Sequence, residues 1–195
     1  MATIEPTARR AAFPIAPYTV DDLLKFPDNG NRYELFNGSL AVSPAPIPLH
    51  QRVINRLVRV LEDAAPPGLE ALSYVNVSPS AKDLYIPDVV VVSESASESV
   101  GLMFAPSDLL LVVEVISPST GMYDKTIKAA VYAAAGIPLY WCVEPDGPIL
   151  YVYELEGDSY KEPVAHKAGT TVTLSSPYRV SFDPADLVGR RASNS

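Results

Sequence analysis

The chain has 195 residues, 48% hydrophobic and 19% charged, which suits one globular domain of ordinary size and excludes a disordered or fibrous chain. A formal net charge of −8 excludes a large basic surface for nucleic acid, but not a small groove or a bound cation that reverses the local field. No apolar run reaches the length of a membrane-crossing helix, and the single cysteine, Cys142, has no partner for an internal disulfide.

The segment Met1–Pro17 carries Arg9 and Arg10 before a short, proline-interrupted apolar stretch, and reads as a flexible arm rather than a signal peptide. Residues 18–187 are expected to form the single domain, with 188–195 a flexible tail. Thr19, followed three residues later by Asp22, predicts a short helix start that stops near Pro27-Asp28-Asn29-Gly30. Tyr33–Phe36 and Ser39–Val42, joined by Asn37-Gly38, predict a hairpin, because Asn-Gly accepts the positive φ of a tight turn.

The first long helix is expected from His50 to about Ala65, with Val53, Ile54, Leu57, Val60 and Leu61 on one stripe and Arg52, Arg56 and Arg59 on a solvated face; Pro66-Pro67-Gly68 ends it. Two strands are expected near Ala71–Ser78 and Tyr85–Val92, then a mobile polar loop over Ser93–Gly101. Leu109–Ile116 reads as a strand, Ser117-Pro118-Ser119-Thr120 as a turn, and Gly121 to Ala135 as a helix closed by Gly136. Tyr140–Val143 is a further strand, in which Cys142 reads as a buried, inert thiol and Trp141 as a core residue; with no membrane span this favours the cytoplasm. Ile149–Leu155 and Tyr160–Val164 predict a hairpin, Thr171–Leu174 a last strand, and the remainder a tail with few signals. One helix between two strands in the second half implies a partly parallel central sheet in a mixed α/β fold.

Chemistry concentrates in two apolar strands. Asp88 precedes Val89-Val90-Val91-Val92, and Glu114 follows Leu109-Leu110-Leu111-Val112-Val113. A carboxylate in such a place must find a partner, a metal or a proton. Alternation sets Asp88 on the face of Val90 and Glu114 on the face of Val112, so the two converge if the strands are neighbours. Asp124, Lys128 and Tyr132 recur at helical spacing and share one face, which can lean Lys128 over the Glu114 strand; Ile127, Val131 and Ala134 lie on another side and are expected to pack on the sheet. Two carboxylates with a backbone carbonyl and waters suit a hard divalent cation such as Mg²⁺. His50 and His166 are the only histidines and make no zinc spacing; no Walker-type phosphate loop or nucleophile elbow is present. Each residue also has a plainer reading. Asp88 caps a turn after Pro87, Lys128 is a solvated helix lysine with Lys125 its competitor, Glu34 is a hairpin carboxylate, His50 opens a helix, and Tyr132 packs in the core.

Pro87-Asp88-Val-Val-Val-Val, Val113-Glu114-Val-Ile-Ser-Pro-Ser-Thr, Asp124-x-x-x-Lys128-x-x-x-Tyr132 and Gly136-Ile-Pro-x-Tyr-Trp141-x-Val occur in the signature order of a bacterial family. With Tyr33-Glu34-Leu-Phe-Asn-Gly38 and the helix opening at His50, the chain resembles the Uma-two family, within the PD-(D/E)XK superfamily of nucleases, over roughly Tyr18 to Leu187. The resemblance implies a restriction-endonuclease-like core, a mixed central β-sheet flanked by helices with additional C-terminal β-hairpin strands. It implies that Asp88, Glu114 and the Val115 backbone carbonyl bind Mg²⁺, with Mn²⁺ an alternative, and that Lys128 is the catalytic lysine. The superfamily's usual lysine stands two residues after the acid, where this chain has Ile116, and the following helix supplies it instead. Glu34 corresponds to an N-terminal acid near the metal, His50 lines the substrate groove, and Asp124, Lys125 and Tyr132 are accessory candidates.

The expected function is Mg²⁺-dependent endonucleolytic hydrolysis of DNA by a homodimer, with no membrane partner. The turn Gly121-Met122-Tyr123 lacks the basic residues that family members commonly carry there, and Leu139 stands where many have a glutamate. The alternative of a different class is a catalytically weak or inactive nuclease-like fold serving as a dimeric binding or structural module. A two-carboxylate glycosidase leaves the lysine and the strand-turn-helix order unexplained.

Overall fold

The computed structural model describes residues 17–43, 45–116 and 124–189, with the backbone alone at Asp124 and Lys125. The expected turn at Ser117–Thr120, the Gly121-Met122-Tyr123 turn, the arm before Pro17 and the tail beyond Gly189 lie outside the described residues.

Helix α1 (Val20–Leu23) opens with a reciprocal cap. The Thr19 side chain accepts from the Asp22 N–H, and the Asp22 carboxylate accepts from the Thr19 N–H at 3.0 Å. Strands β1 (Arg32–Phe36) and β2 (Ser39–Ser43) form the expected hairpin. Asn37 (φ 49°) and Gly38 (φ 78°) make its turn, as a two-residue connection with positive φ at both positions requires. A Cβ on Gly38 would lie 2.7 Å from the Pro17 Cβ, whereas one on Gly30, also at positive φ, would meet open space. Gly38→Ala is therefore expected to cost more than the roughly 1–2 kcal/mol of a left-handed alanine, and Gly30→Ala about that amount; thermal denaturation of the two variants measures the difference.

Helix α2 (Pro48–Ala64) begins two residues before the expected His50, because Pro48 sits comfortably in a first turn where its missing N–H has no intrahelical acceptor. His50 is thereby drawn into the buried face with Val53, Ile54, Leu57 and Leu61, while Val60 is only half-buried. The two strands expected from Ala71 to Val92 are in fact four: β3 (Leu69–Ser73), β4 (Asn76–Ser80), β5 (Asp83–Tyr85) and β6 (Val89–Ser93). Tyr74, at φ 57°, turns the chain between β3 and β4, and Ile86-Pro87-Asp88 separates β5 from β6. Each run thus crosses from one sheet to another, and the Tyr74 N–H ties the two crossings by donating to the Asp88 carbonyl at 3.3 Å.

Where a mobile loop was expected, Glu94–Ser99 forms a short helix, α3, because the Ser93 hydroxyl caps it by accepting from the Ala96 N–H at 3.1 Å. Strand β7 (Met103–Phe104) leads to β8 (Leu109–Val115). Asp124–Lys128 is a π turn that runs into α4 (Ala129–Ala134). This wider winding changes the helix phase. Ala129, Tyr132 and Ala133 are buried, whereas Ile127 is 44% exposed and Ala134 is exposed, so of the three residues expected to pack on the sheet only Val131, half-buried, packs against its core. Then follow β9 (Leu139–Glu144), β10 (Ile149–Glu156), β11 (Ser159–Tyr160), β12 (Val164–Lys167) and β13 (Val172–Leu174). Strand β14 (Val180–Phe182) and helix α5 (Pro184–Val188) occupy the end of the chain that carried few signals.

The large sheet has the order β11-β10-β9-β8-β6-β3, with β12 also on β10; β8 and β9 are parallel across the α4 crossover and their other neighbours are antiparallel. The small sheet runs β2-β1-β5-β4-β7, and β13 pairs with β14. Alternation divides the large sheet between two cores. Val89, Val91, Leu111, Val113 and Trp141 pack with α2 and α5, whereas Val90, Val92, Val112 and Tyr140 pack with α4 and the small-sheet residues Val77 and Tyr85. Both faces of β6 and β8 are therefore covered, which accounts for their nearly unbroken valine and leucine.

Candidate active site

Strands β6 and β8 pair with Val89 opposite Val113, and continuing that register sets Asp88 opposite Glu114. The ladder stops there, because β6 begins only after Pro87-Asp88. The Val115 N–H, directed toward β6, donates to Asp88 Oδ2 at 2.8 Å in place of a strand carbonyl, and the next N–H, of Ile116, turns the other way to the Val143 carbonyl. In an extended strand the N–H and C=O of one residue point to the same edge, so the Val115 carbonyl also faces the Asp88 side.

Glu114 projects from the face that α4 covers. Its Oε1 accepts from Lys128 Nζ at 2.8 Å and from the Tyr132 hydroxyl at 2.6 Å. Lys128, the last residue of the π turn, and Tyr132, four residues further on in α4, thus reach one oxygen together. Lys128 Nζ is also 3.4 Å from Glu34 Oε1, which accepts the Ile86 N–H at 3.0 Å. Asp88 Oδ2 lies 3.2 Å from His50 Nε2, and Oδ1 lies 3.4 Å from an Arg32 guanidinium nitrogen. Glu34, His50, Asp88, Glu114 and Lys128 are the buried polar or charged residues among those described, and all five meet at this one place.

Burial pushes the Asp88 carboxyl up, but the hydrogen bond and charge of His50, the Val115 N–H and the Lys128 ammonium outweigh it and hold the group below its ordinary value of 3.8. Asp88 is therefore an anion at neutral pH. Burial and the neighbouring Glu114 and Glu34 charges push Tyr132 well above the usual phenol range, so it is a neutral donor to Glu114.

The sequence candidates divide clearly. Asp88, Glu114, Lys128, Glu34, His50 and Tyr132 come together, and Tyr132 serves both as core and as hydrogen-bond donor. The side chains of Asp124 and Lys125 lie outside the described residues. Arg52 and Arg59 are exposed, and Arg56 donates to the Asp186 carbonyl at 2.8 Å. Arg32, Tyr74 and Gln51 were missed. Arg32 stacks 4.2 Å from the Tyr74 ring centre, and Gln51 Nε2 donates to the Tyr74 hydroxyl at 2.8 Å. Arg32 stands two residues before Glu34 and so shares its face of β1, which was the available signal. His50 Nδ1 and Trp141 Nε1 are buried without hydrogen-bond partners. Among the described residues no three His, Cys, Asp or Glu side chains are grouped as a metal cage, so any cation here would depend on two carboxylates, a main-chain oxygen and solvent.

The fold is restriction-endonuclease-like. A crystal structure described as "a putative nuclease belonging to DUF820" from Anabaena variabilis ATCC 29413 superposes with a TM-score of 0.70, at 19% identity, over 88% of this chain and 98% of that one. Residues 20–185 match the model of the Uma2 family, described as "Putative restriction endonuclease", and the chain belongs to that family. No curated protein matches it. No helix among the described residues is long and apolar enough to cross a membrane.

Proposed function

We propose that the protein is a divalent-metal-dependent endonuclease that hydrolyses phosphodiester bonds in DNA. The observation that carries this reading is the gathering of Asp88, Glu114 and Lys128, all buried, where the β6–β8 ladder opens. The donor set of two carboxylates and the Val115 carbonyl is all oxygen, which fits Mg²⁺ or Mn²⁺, an ion that retains waters and needs few protein ligands. Bound there, the ion would polarise a phosphoryl oxygen and help produce hydroxide from water.

The chain's own groups have distinct tasks. His50 and the Val115 N–H keep Asp88 ionised and aimed. Tyr132 fixes the Glu114 carboxylate as a neutral donor. Glu34 anchors Lys128 from the small sheet, so the ammonium is held where it can stabilise charge growing on the phosphorane oxygens. A homodimer would present two such sites to two strands, and a reducing cytoplasm suits the buried Cys142.

Calorimetric titration with Mg²⁺ and with Mn²⁺ tests the metal directly. Saturable binding that Asp88→Asn removes is the expected result. Absence of binding to the wild-type protein would favour the inactive module, which the net charge of −8 also favours.

A further inference from the structure

Arg32 has no part in the triad, yet its setting is built with care. It opens β1 on the face that carries Glu34, and it meets Asp88 at Oδ1, the carboxylate oxygen that Val115 N–H and His50 do not use. That contact is a single one at 3.4 Å, longer than the 2.7–2.9 Å of a strong charge-assisted bond, and it uses one of five guanidinium donors. The Arg32 side chain is 24% exposed against 5% for Asp88, so Arg32 is the partner that solvent and a ligand can reach.

Its orientation is set by the Tyr74 ring beneath it. That ring is held by Gln51 through its hydroxyl, and its backbone is tied to Asp88 at 3.3 Å despite a positive φ. A cation needed only to neutralise Asp88 requires no such platform. A planar fork that must present donors outward does.

The local charge points the same way. Glu34, Asp88 and Glu114 face Lys128 and Arg32, so the carboxylates outnumber the lysine and arginine by one before any charge on His50. A divalent cation makes the balance net positive whether or not His50 carries a proton, and so attracts a phosphodiester anion. An acidic chain can thus hold a nucleic acid backbone at this point without a basic surface.

We propose that Arg32 is a substrate-binding residue that moves from Asp88 to the non-bridging oxygens of a backbone phosphate, as an extension of the nuclease reading above. No bond is made or broken in this exchange of hydrogen-bond acceptors. The Tyr74 ring keeps the guanidinium plane fixed while its partner changes.

Binding of a fluorescein-labelled DNA duplex to the full-length protein, followed by anisotropy in Ca²⁺ over a series of salt concentrations, tests this without relying on cleavage. Arg32→Gln is expected to weaken binding by about tenfold and to reduce the slope of log K against log salt by about one. Arg32→Lys keeps a cation beside Asp88 if the glutamine variant does not fold. It should retain the salt slope while losing several-fold in affinity, because the fork and the stacking are gone. Wild-type binding that both variants match in affinity and slope would overturn the role of Arg32 and leave the nuclease reading standing. A wild-type protein that binds no duplex in Ca²⁺ would overturn the nuclease reading, and the role of Arg32 with it.

Discussion

Asp88→Asn is expected to remove divalent-metal-dependent DNA cleavage, by on the order of 10³-fold or more, while the protein still folds. The amide keeps the shape of the carboxylate but cannot neutralise a cation. Its nitrogen would also face either the Val115 N–H or the Arg32 guanidinium, donor against donor. Plasmid nicking in Mg²⁺ and in Mn²⁺ measures the loss, and full metal-dependent cleavage by the variant would sink the assignment. The same substitution carries a pH signature. The folded-state carboxyl lies below the ordinary 3.8, so the stabilisation from Asp88 is complete above the unfolded value and is lost as pH falls through the folded one. The share of the stability difference between wild type and variant that comes from the Asp88 charge should therefore shrink in the acid range, which urea unfolding at a series of acid pH values can follow.

Lys128→Met should be the most destabilising of the site substitutions. It removes the cation 2.8 Å from Glu114 and 3.4 Å from Glu34, and leaves two buried carboxylates facing each other's field. Breaking a buried pair in this way costs about 3–5 kcal/mol. Removing one carboxylate as well, in Glu34→Gln/Lys128→Met, should recover part of that loss, because the two positions are coupled. Added Mg²⁺ should raise the melting temperature of the Lys128→Met protein more than that of the wild type, since the ion replaces the missing charge. A variant as stable as wild type, or one indifferent to metal, would show that Lys128 does not organise these acids. Cleavage by the variant should fall on the order of 10²–10³-fold.

Much of this site was legible because a carboxylate among valines has few innocent explanations. Asp88 and Glu114 stood out for that reason, and strand alternation placed them on converging faces. Spacing of four along a helix linked Lys128 to Tyr132, and both reach Glu114 Oε1. The hairpin was equally plain, since Asn37-Gly38 accepts a backbone that other pairs avoid. What was hidden depends on contacts distant in the chain. Tyr74 is not a turn residue, yet it adopts a positive φ where its ring supports Arg32 and its hydroxyl meets Gln51, so two expected strands became four. His50 looked like the first residue of a helix; Pro48 moved that start back and buried the imidazole against Asp88. Ile127 looked like a core residue under α-helical spacing alone, and the π turn exposed it.

That turn has a consequence for how the chain tolerates change in length. A residue gained or lost within Asp124–Lys128 would rotate everything after it by about 100° unless the turn rewound. Lys128 would then swing away from Glu114, and Tyr132 would leave its place between Tyr85 and Tyr140. A single codon inserted or deleted in this stretch should silence the site as completely as losing the lysine, whereas exchange of the exposed Thr126 side chain keeps the phase and should be tolerated. The exposed β10–β11 tip at Gly157 faces no such phase requirement and should accept added residues.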